Sequence, residues 1–227
     1  PPSYDYPPSV ERDKALSTMQ VPDGFRVEIV AAEPLVQDPV GFDWGPDGKL
    51  WVVEMADYPL GIDGQGKPGG RIRILADRDN DGTYETGTLF LDELTFPNGL
   101  MAWKKGVLFT HGLDIVYAED KSGDGKCDHQ KVLFTGFGGS NPQHLKTGFW
   151  WGLDNWVYGA GIQVPANVKI NQTGEVVKLG RHDFRFQIDE NRFDPQAGHT
   201  QHVRTRDDWG NWFGNTNSEP AFHYVYP

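Results

Sequence analysis

The sequence predicts an all-β protein, a β-propeller of four-stranded blades, and three observations carry that prediction. Trp44-Gly-Pro-Asp-Gly-Lys-Leu-Trp51 returns as Trp151-Gly-Leu-Asp-Asn-Trp-Val-Tyr158, with looser echoes at Trp103 to Phe109 and Asp207 to Phe213. The aromatics that close these copies are spaced by 58, 49 and 55 residues, and periods of roughly 40 to 55 residues, each holding several short strands, suit propeller blades. The 28 Gly and 8 Trp fit many tight turns and aromatic-filled strands better than a helical bundle. The uneven period puts the surplus residues in loops, where a rigid scaffold carries its chemistry.

In chain order, residues 1–21 read as a linker with a short helix: Pro1 to Pro8 is rich in Pro and Tyr, and Ser9 to Gln20 carries the helix. Residues 22–227 read as a partial propeller domain. After the Pro22-Asp23-Gly24 turn, Phe25 to Val30 alternates with the two-residue period of a half-buried strand. Blade one follows with Gly41 to Gly45, a Pro-Asp-Gly-Lys turn, Leu50 to Glu54, a Gly-rich loop, Arg71 to Leu75, an acidic turn at Asp77 to Gly82, and Tyr84 to Leu91. Blade two begins near Gly99, with strands at Val107 to Thr110, Ile115 to Ala118 and Lys131 to Thr135 and an acidic turn at Asp120 to Gly125. Blade three begins near Gly148, with Val157 to Gly159, Val176 to Leu179 and Phe184 to Ile188, and blade four runs from about His202 to Tyr226. About three and a half blades result, whereas closed propellers hold roughly four to eight. Unpaired edges are a liability in a free domain, so the chain is expected to be a fragment of a longer protein.

Composition narrows the function classes. A net charge of -11 supplies no basic stripe for phosphates, which argues against a nucleic-acid partner. No run approaches the ~18 apolar residues of a membrane span. The single cysteine, Cys127, excludes an internal disulfide framework and reads as a turn residue. Gly64-Gln-Gly66-Lys-Pro-Gly69 matches a dinucleotide fingerprint formally, but it precedes a strand and contains Pro68, so no helix is there to hold a pyrophosphate. His199 and His202 lack further metal ligands nearby, Asn171-Gln-Thr173 is a glycosylation sequon of a commonly accidental kind, and Arg181-His182-Asp183 reads as a solvated turn.

Two faces remain where function can sit. In a blade whose first strand is innermost, the loops entering strand one and leaving strand two share one face. That axial face collects Asp38, Asn98, Asn141, Gln143, His144 and His202 from entries, and Glu54, Asp57, His111, Gln163 and Asn215 from exits; convergent loops of this kind form the default pocket. The opposite face carries the acidic turns. Asp77, Asp79, Asp81 and Glu85 stand at positions one, three, five and nine of a loop with Gly82 at six and a backbone carbonyl from Thr83 at seven. Asp120, Ser122, Asp124, Lys126 (through its carbonyl) and Asp128 repeat the spacing. Clustered carboxylates in a tight loop suit calcium, which takes six to eight oxygens. Position twelve is Thr88 or Lys131 rather than a bidentate Glu, which predicts weaker, hairpin-mounted sites with a stapling role; the alternative is an Asp/Gly-rich turn that holds no metal.

The succession Gly41-Phe-Asp-Trp-Gly-Pro-Asp-Gly-Lys-Leu-Trp-Val-Val-Glu54, Asn141-Pro-Gln-His144, Gly148-Phe-Trp-Trp-Gly-Leu-Asp-Asn-Trp-Val-Tyr158 and Arg206-Asp-Asp-Trp-Gly-Asn-Trp-Phe213 resembles the propeller of a membrane-bound dehydrogenase family of large exported bacterial proteins. That family is distantly similar to soluble quinoprotein glucose and sorbosone dehydrogenases. The resemblance runs from about residue 22 to the end. It implies a six-bladed ring, a periplasmic or cell-envelope location, and a c-type haem domain elsewhere in the full protein. It also implies pyrroloquinoline quinone (PQQ) across the axial mouth, with Glu54, Asp57, Asn98, His111, Asn141 and His202 beside it. His144 best matches the histidine that takes a substrate hydroxyl proton, a role a neutral imidazole suits. The quinone bears three carboxylates, while the axial loops offer few cations beyond Arg71 and Lys146. Two readings follow: a quinone-dependent sugar or alcohol dehydrogenase domain, or a non-catalytic, calcium-stapled propeller that binds carbohydrate or protein.

Overall fold

In the computed structural model the protein is described over residues 10–139, 141–161 and 164–225; the predicted Pro1 to Pro8 linker, Gln163 and the Tyr226 end of blade four lie outside them. The expected helix is one turn, α1 (Arg12–Ala15), continued by a 3-10 turn at Leu16–Thr18. All other regular structure is strand, apart from a 3-10 turn at Pro142–His144.

Blade one is β1 (Pro39–Trp44), β2 (Leu50–Glu54), β3 (Gly70–Ala76) and β4 (Thr86–Leu94), antiparallel and in that order. Blade two is β5 (Leu100–Trp103), β6 (Gly106–His111), β7 (Asp114–Glu119) and β8 (His129–Thr135). Blade three starts with β9 (Thr147–Trp151) and β10 (Val157–Ala160). A hairpin of β11 (Ala166–Ile170) and β12 (Val176–Gly180) intervenes before β13 (Asp183–Gln187) and β14 (Arg192–Gln196) complete the blade. Blade four holds β15 (Thr205–Arg206), β16 (Trp212–Gly214) and β17 (Phe222–Tyr224). The second strands β2 and β10 are buried throughout and β6 nearly so, because each lies between two sheet neighbours and under two apolar faces. The outer strands β4 and β8 mix buried with exposed positions.

Two expectations are corrected. Val176 to Leu179 does form a strand, but not in blade three: β11 pairs with β8 through Lys169 to Thr135 and Ile170 to Phe134, so the hairpin widens blade two to six strands. Its inward residues Ala166, Val168 and Ile170 join the core of Phe134 and Phe137, and that apolar seam decides which sheet receives it. Phe25 to Val30 forms no strand. Its alternation is intact, but among the described residues its backbone bonds only at its ends, Phe25 N to Pro22 O and Val30 O from Tyr84 N, and a segment without a ladder is not a strand.

The blades pack face to face. Trp51, Val53, Ile72 and Phe90 of blade one meet Leu100, Val107, Phe109 and Val116 of blade two, and Met101, Leu108 and Phe134 of blade two meet Phe149, Val157, Phe184 and Phe186 of blade three. Each such side chain, fully buried, contributes about 1.5–3 kcal/mol. The closing aromatics Trp51, Phe109 and Tyr158 are core, whereas Trp44, Trp151 and Trp209 at the start of the repeated turns are exposed. Near the axis the innermost strands crowd together: a Cβ on Gly148, whose φ is +63°, would lie 2.7 Å from Val203 Cα, and one on Gly99 would lie 3.1 Å from Thr147 Cα. Only glycine lets those entries converge.

Candidate functional site: an axial cleft and an acidic turn

The entries of the innermost strands and the exits of the second strands do converge. They enclose a cleft of about 620 Å³ whose floor is Gly99, Thr147 and Gly148 and whose walls carry Phe42, Met55, Tyr58, Asn98, Gln143, Trp150, His202 and Asn217. The Tyr58 hydroxyl bonds the Gln143 amide, joining the exit loop of blade one to the entry loop of blade three. Asn98 is set by Thr110, whose hydroxyl accepts from Asn98 N and Gly99 N and donates to Asn98 Oδ1, each at 2.9 to 3.0 Å. His202 Nε2 meets Asn217 Oδ1 at 2.9 Å, an arrangement in which Nε2 donates to the amide oxygen.

Three of the axial residues predicted from the sequence therefore line the cleft: Asn98, Gln143 and His202. Asn141, His144, Glu54, Asp57 and His111 are not among its lining residues. Asn141 caps the 3-10 turn by accepting from Gln143 N at 3.0 Å, which aims Gln143 inward. His144 closes the same turn half-buried and is not among the lining residues. Glu54 is buried in an intra-blade clamp, accepting from Gln37 N at 2.8 Å and Arg73 Nε at 3.0 Å and pairing with Arg71 Nε at 2.9 Å. Asp57 accepts from Phe96 N at 2.7 Å, and His111 Nδ1 accepts from Thr95 N at 3.2 Å. Both hold the loop that delivers Asn98. Burial pushes the His111 imidazole below its ordinary range, against the pull of Asp114. Lys146 is fully buried, donates to Gly112 O at 2.5 Å, and is pushed down to about 7 by burial.

Sequence reasoning missed Tyr58, Trp150 and Asn217. Their signal was position alone: Tyr58 and Asn217 lie a few residues beyond second strands, and Trp150 lies within the innermost strand β9. It also misread Asp183. Instead of a solvated turn, Asp183 is fully buried and accepts from Gly161 N (2.7 Å), Thr200 N (2.9 Å), Thr200 Oγ1 (2.6 Å), Tyr224 Oη (3.1 Å) and Arg204 Nη1 (3.3 Å). Arg204, equally buried, lies over Tyr224 at 4.3 Å and beside Tyr158 and Trp212. This knot joins blades three and four.

The two acidic turns differ. In the first, one carboxylate oxygen from each of Asp77, Asp79, Asp81 and Glu85 lies within 4.8 Å of the others, the span of two oxygens on opposite sides of one calcium ion at about 2.4 Å each. Repulsion from Asp81 is the main cause that raises the Asp79 carboxyl above its usual range. The donor chemistry fits calcium, with Thr83 O available at position seven. In the second turn Asp120 accepts from Gly123 N (2.6 Å) and Gly125 N (2.7 Å), and Asp128 accepts from Lys121 N (3.0 Å) and Ser122 N (2.9 Å). Those amides hold both carboxyls below the usual range. Asp124 accepts from Lys126 N. The first turn has the same amide pattern, with Gly82 N on Asp77, Thr83 N on Asp81 and Arg78 N on Glu85, so the two differ in the fourth carboxylate, Asp79, where the second has Ser122.

A family model described as a domain of unknown function, DUF7133, matches residues 11–227. No curated protein matches the chain. Among solved structures the chain is similar to the PQQ domain of pyranose dehydrogenase from Coprinopsis cinerea, at 14% identity and a TM-score of 0.53, over 86% of this chain and 47% of that one. It is also similar to the Pan2 WD40 domain of Neurospora crassa, at 14% identity and a TM-score of 0.37, over 88% and 67%. A third similarity is to a streptogramin B lyase, at 13% identity and a TM-score of 0.33, over 88% and 87%. The first likeness shows a shared fold, and the chain spans about half the length of the pyranose dehydrogenase domain.

Proposed function

The chain belongs to the DUF7133 family, and from that premise we propose that its propeller binds a neutral carbohydrate in the axial cleft, with calcium stapling the outer turn of blade one. One observation carries this reading: the cleft is lined by the rings of Phe42, Tyr58 and Trp150 and by the amides of Asn98, Gln143 and Asn217, with no Lys, Arg, Asp or Glu among the described residues that line it. Sugars offer C–H faces that stack on aromatic rings and hydroxyls that pair with amides. The volume falls within the range of about 300–1,000 Å³ usual for small-ligand sites. A weak calcium site suits an exported, cell-envelope protein, since extracellular calcium modules bind at about 10⁻⁴–10⁻³ M.

The likeness to a PQQ domain favours a second reading, a quinone-dependent sugar or alcohol dehydrogenase with a haem domain in the same polypeptide. The described residues do not fit that cofactor. Its three carboxylates need cations, yet Arg71 and Arg73 are engaged by Glu54, and Lys146 is sealed beneath the floor on Gly112 O.

Calorimetry of the whole protein against a panel of neutral mono- and disaccharides tests the first reading. At least one sugar is expected to bind, with Trp150→Ala weakening it by about tenfold, the equivalent of one lost stacking or hydrogen-bonding contact. No heat from any neutral sugar, or binding unaffected by Trp150→Ala, overturns it. Dye reduction after addition of quinone would instead establish the second reading.

A further inference from the structure

The loop from Thr95 to Gly99 brings Asn98 to the wall of the cleft, and its two halves are held differently. Asn98 and Gly99 are fixed by the Thr110 hydroxyl, and Asn98 O also accepts from the Thr147 hydroxyl. Thr95 and Phe96 depend on three other groups. Thr95 N donates to His111 Nδ1 at 3.2 Å, Thr95 O accepts from Gly112 N at 2.8 Å, and Phe96 N donates to Asp57 Oδ2 at 2.7 Å. Phe96 stands at φ +43°, a left-handed conformation that a bulky side chain keeps only where its surroundings impose it. The first half of the loop is therefore strained, and its anchors hold it against that strain.

One of those anchors is titratable. To accept from Thr95 N, His111 Nδ1 must be unprotonated, so the neutral ring carries its hydrogen on Nε2; turned over, the ring would set a C–H against the amide and leave it unpaired. A second proton lands on Nδ1, and the histidinium has no lone pair for Thr95. The charged groups around the ring come from three elements: Asp114 on β7, Lys146 in the entry loop of blade three and Asp57 in the exit loop of blade one. Burial pushes the imidazole below its ordinary range and Lys146 adds to that, while the two carboxylates oppose it. Asp57 Oδ1 is buried and has no hydrogen-bond partner among the described residues. An imidazolium released from Thr95 thus has an unpartnered acceptor near it, on the same carboxylate that holds Phe96.

We propose that His111 is a proton-operated latch on the axial cleft: its neutral imidazole holds the loop that positions Asn98, and its protonation in mild acid releases that loop and weakens ligand binding. What the latch regulates rests on the reading of the cleft as a sugar site, whereas the latch itself rests on hydrogen bonds within the chain. Proton and sugar then compete. Sugar binding lowers the His111 midpoint, and affinity falls about tenfold for each pH unit below that midpoint.

NMR of the whole protein from about pH 8 down to about pH 5, the range in which histidine changes charge, tests the latch without ligand. The His111 ring is expected as the Nε2–H tautomer at the alkaline end, and the Thr95 backbone amide and Asn98 side-chain amide are expected to shift with the midpoint of the imidazole. A proton on Nδ1 at the alkaline end, or Thr95 and Asn98 signals that ignore the His111 titration, overturns the proposal. His111→Asn sets an amide oxygen where Nδ1 stands, an acceptor at every pH, and is expected to abolish the titration of both signals. Lys146→Met is expected to keep it and raise its midpoint, because a like charge is gone; loss of the titration in Lys146→Met would assign the switch to the lysine and overturn the latch. Calorimetry with the best-binding sugar of the neutral panel is expected to show about tenfold weaker binding per pH unit below the midpoint and a flat profile in His111→Asn. A flat profile in the parent protein also overturns the proposal. No heat from any sugar, beside the expected NMR titration, overturns the sugar reading and supports the latch.

Discussion

Lys146 shows how a single buried charge shapes the base of the cleft. Its ammonium is fully enclosed, bonds Gly112 O and lies 5.4 Å from the Phe137 ring, and burial lowers its pKa from 10.5 to about 7. Between those values the unfolded chain binds a proton that the folded chain does not, so stability rises with pH from about 7 to 10.5 and is lowest below 7. Lys146→Met keeps the stem and removes the charge. It is expected to stabilise the protein by about 1–3 kcal/mol at pH 7, with the gain shrinking toward pH 10 in a urea-unfolding series. A gain independent of pH would contradict the assignment. Asp183 is the opposite case, a buried anion with a full set of donors. Asp183→Asn leaves Arg204 enclosed without a counter-ion and is expected to cost about 3–5 kcal/mol by the same measurement. Neither residue was legible as buried. Asp183 follows Arg181 and His182, which read as solvent, and its partners Thr200, Arg204 and Tyr224 lie 17, 21 and 41 residues away. Asn98 and His202 were legible because each precedes an innermost strand, and the loops entering those strands share the axial face.

At the scale of elements, two loops of equal spacing reach different arrangements. The first gathers four carboxylates, while the second has Ser122 where the first has Asp79; in both, the carboxylates also accept from amides of their own turn. Spacing alone could not separate the two, because both share it and the same amide contacts; what differs is the residue at position three, Asp79 or Ser122. In calorimetry the whole protein is expected to bind calcium at the first turn, with Asp79→Asn weakening it by about tenfold or more and Asp124→Asn leaving it unchanged. Affinity falls as the pH drops toward the raised Asp79 pKa, since a proton then competes for the oxygen. Loss of binding in Asp124→Asn would move the site to the second turn. The hairpin of β11 and β12 makes the same point about sheets. Its strands were readable from alternation, but its membership of blade two is decided by Phe134 and Phe137, which no local pattern reveals.

For the whole molecule, the seams between blades are unequal. Blades one, two and three share two apolar cores, and the six-stranded sheet extends one of them. Among the described residues, blade four contributes none to those cores. It is held by the Asp183 and Arg204 knot, by Tyr158 against Trp212 at 4.0 Å, and by Arg206 Nε on Trp151 O at 2.9 Å. The period of the repeated turns was enough to place four blades in order, but the strength of each seam depends on side chains that meet across the turns. A seam built on polar geometry opens before one built on buried area, because the free energy of local opening grows with the apolar surface that opening exposes to water. Native-state hydrogen exchange is therefore expected to show β16 and β17 amides opening at lower free energy than those of β6, β7 and β10. Asp183→Asn should lower the β16 and β17 values further while leaving β6 and β7 in place at low denaturant. Equal loss across all blades would mean instead that the seams break together and that blade four is no weaker than the rest.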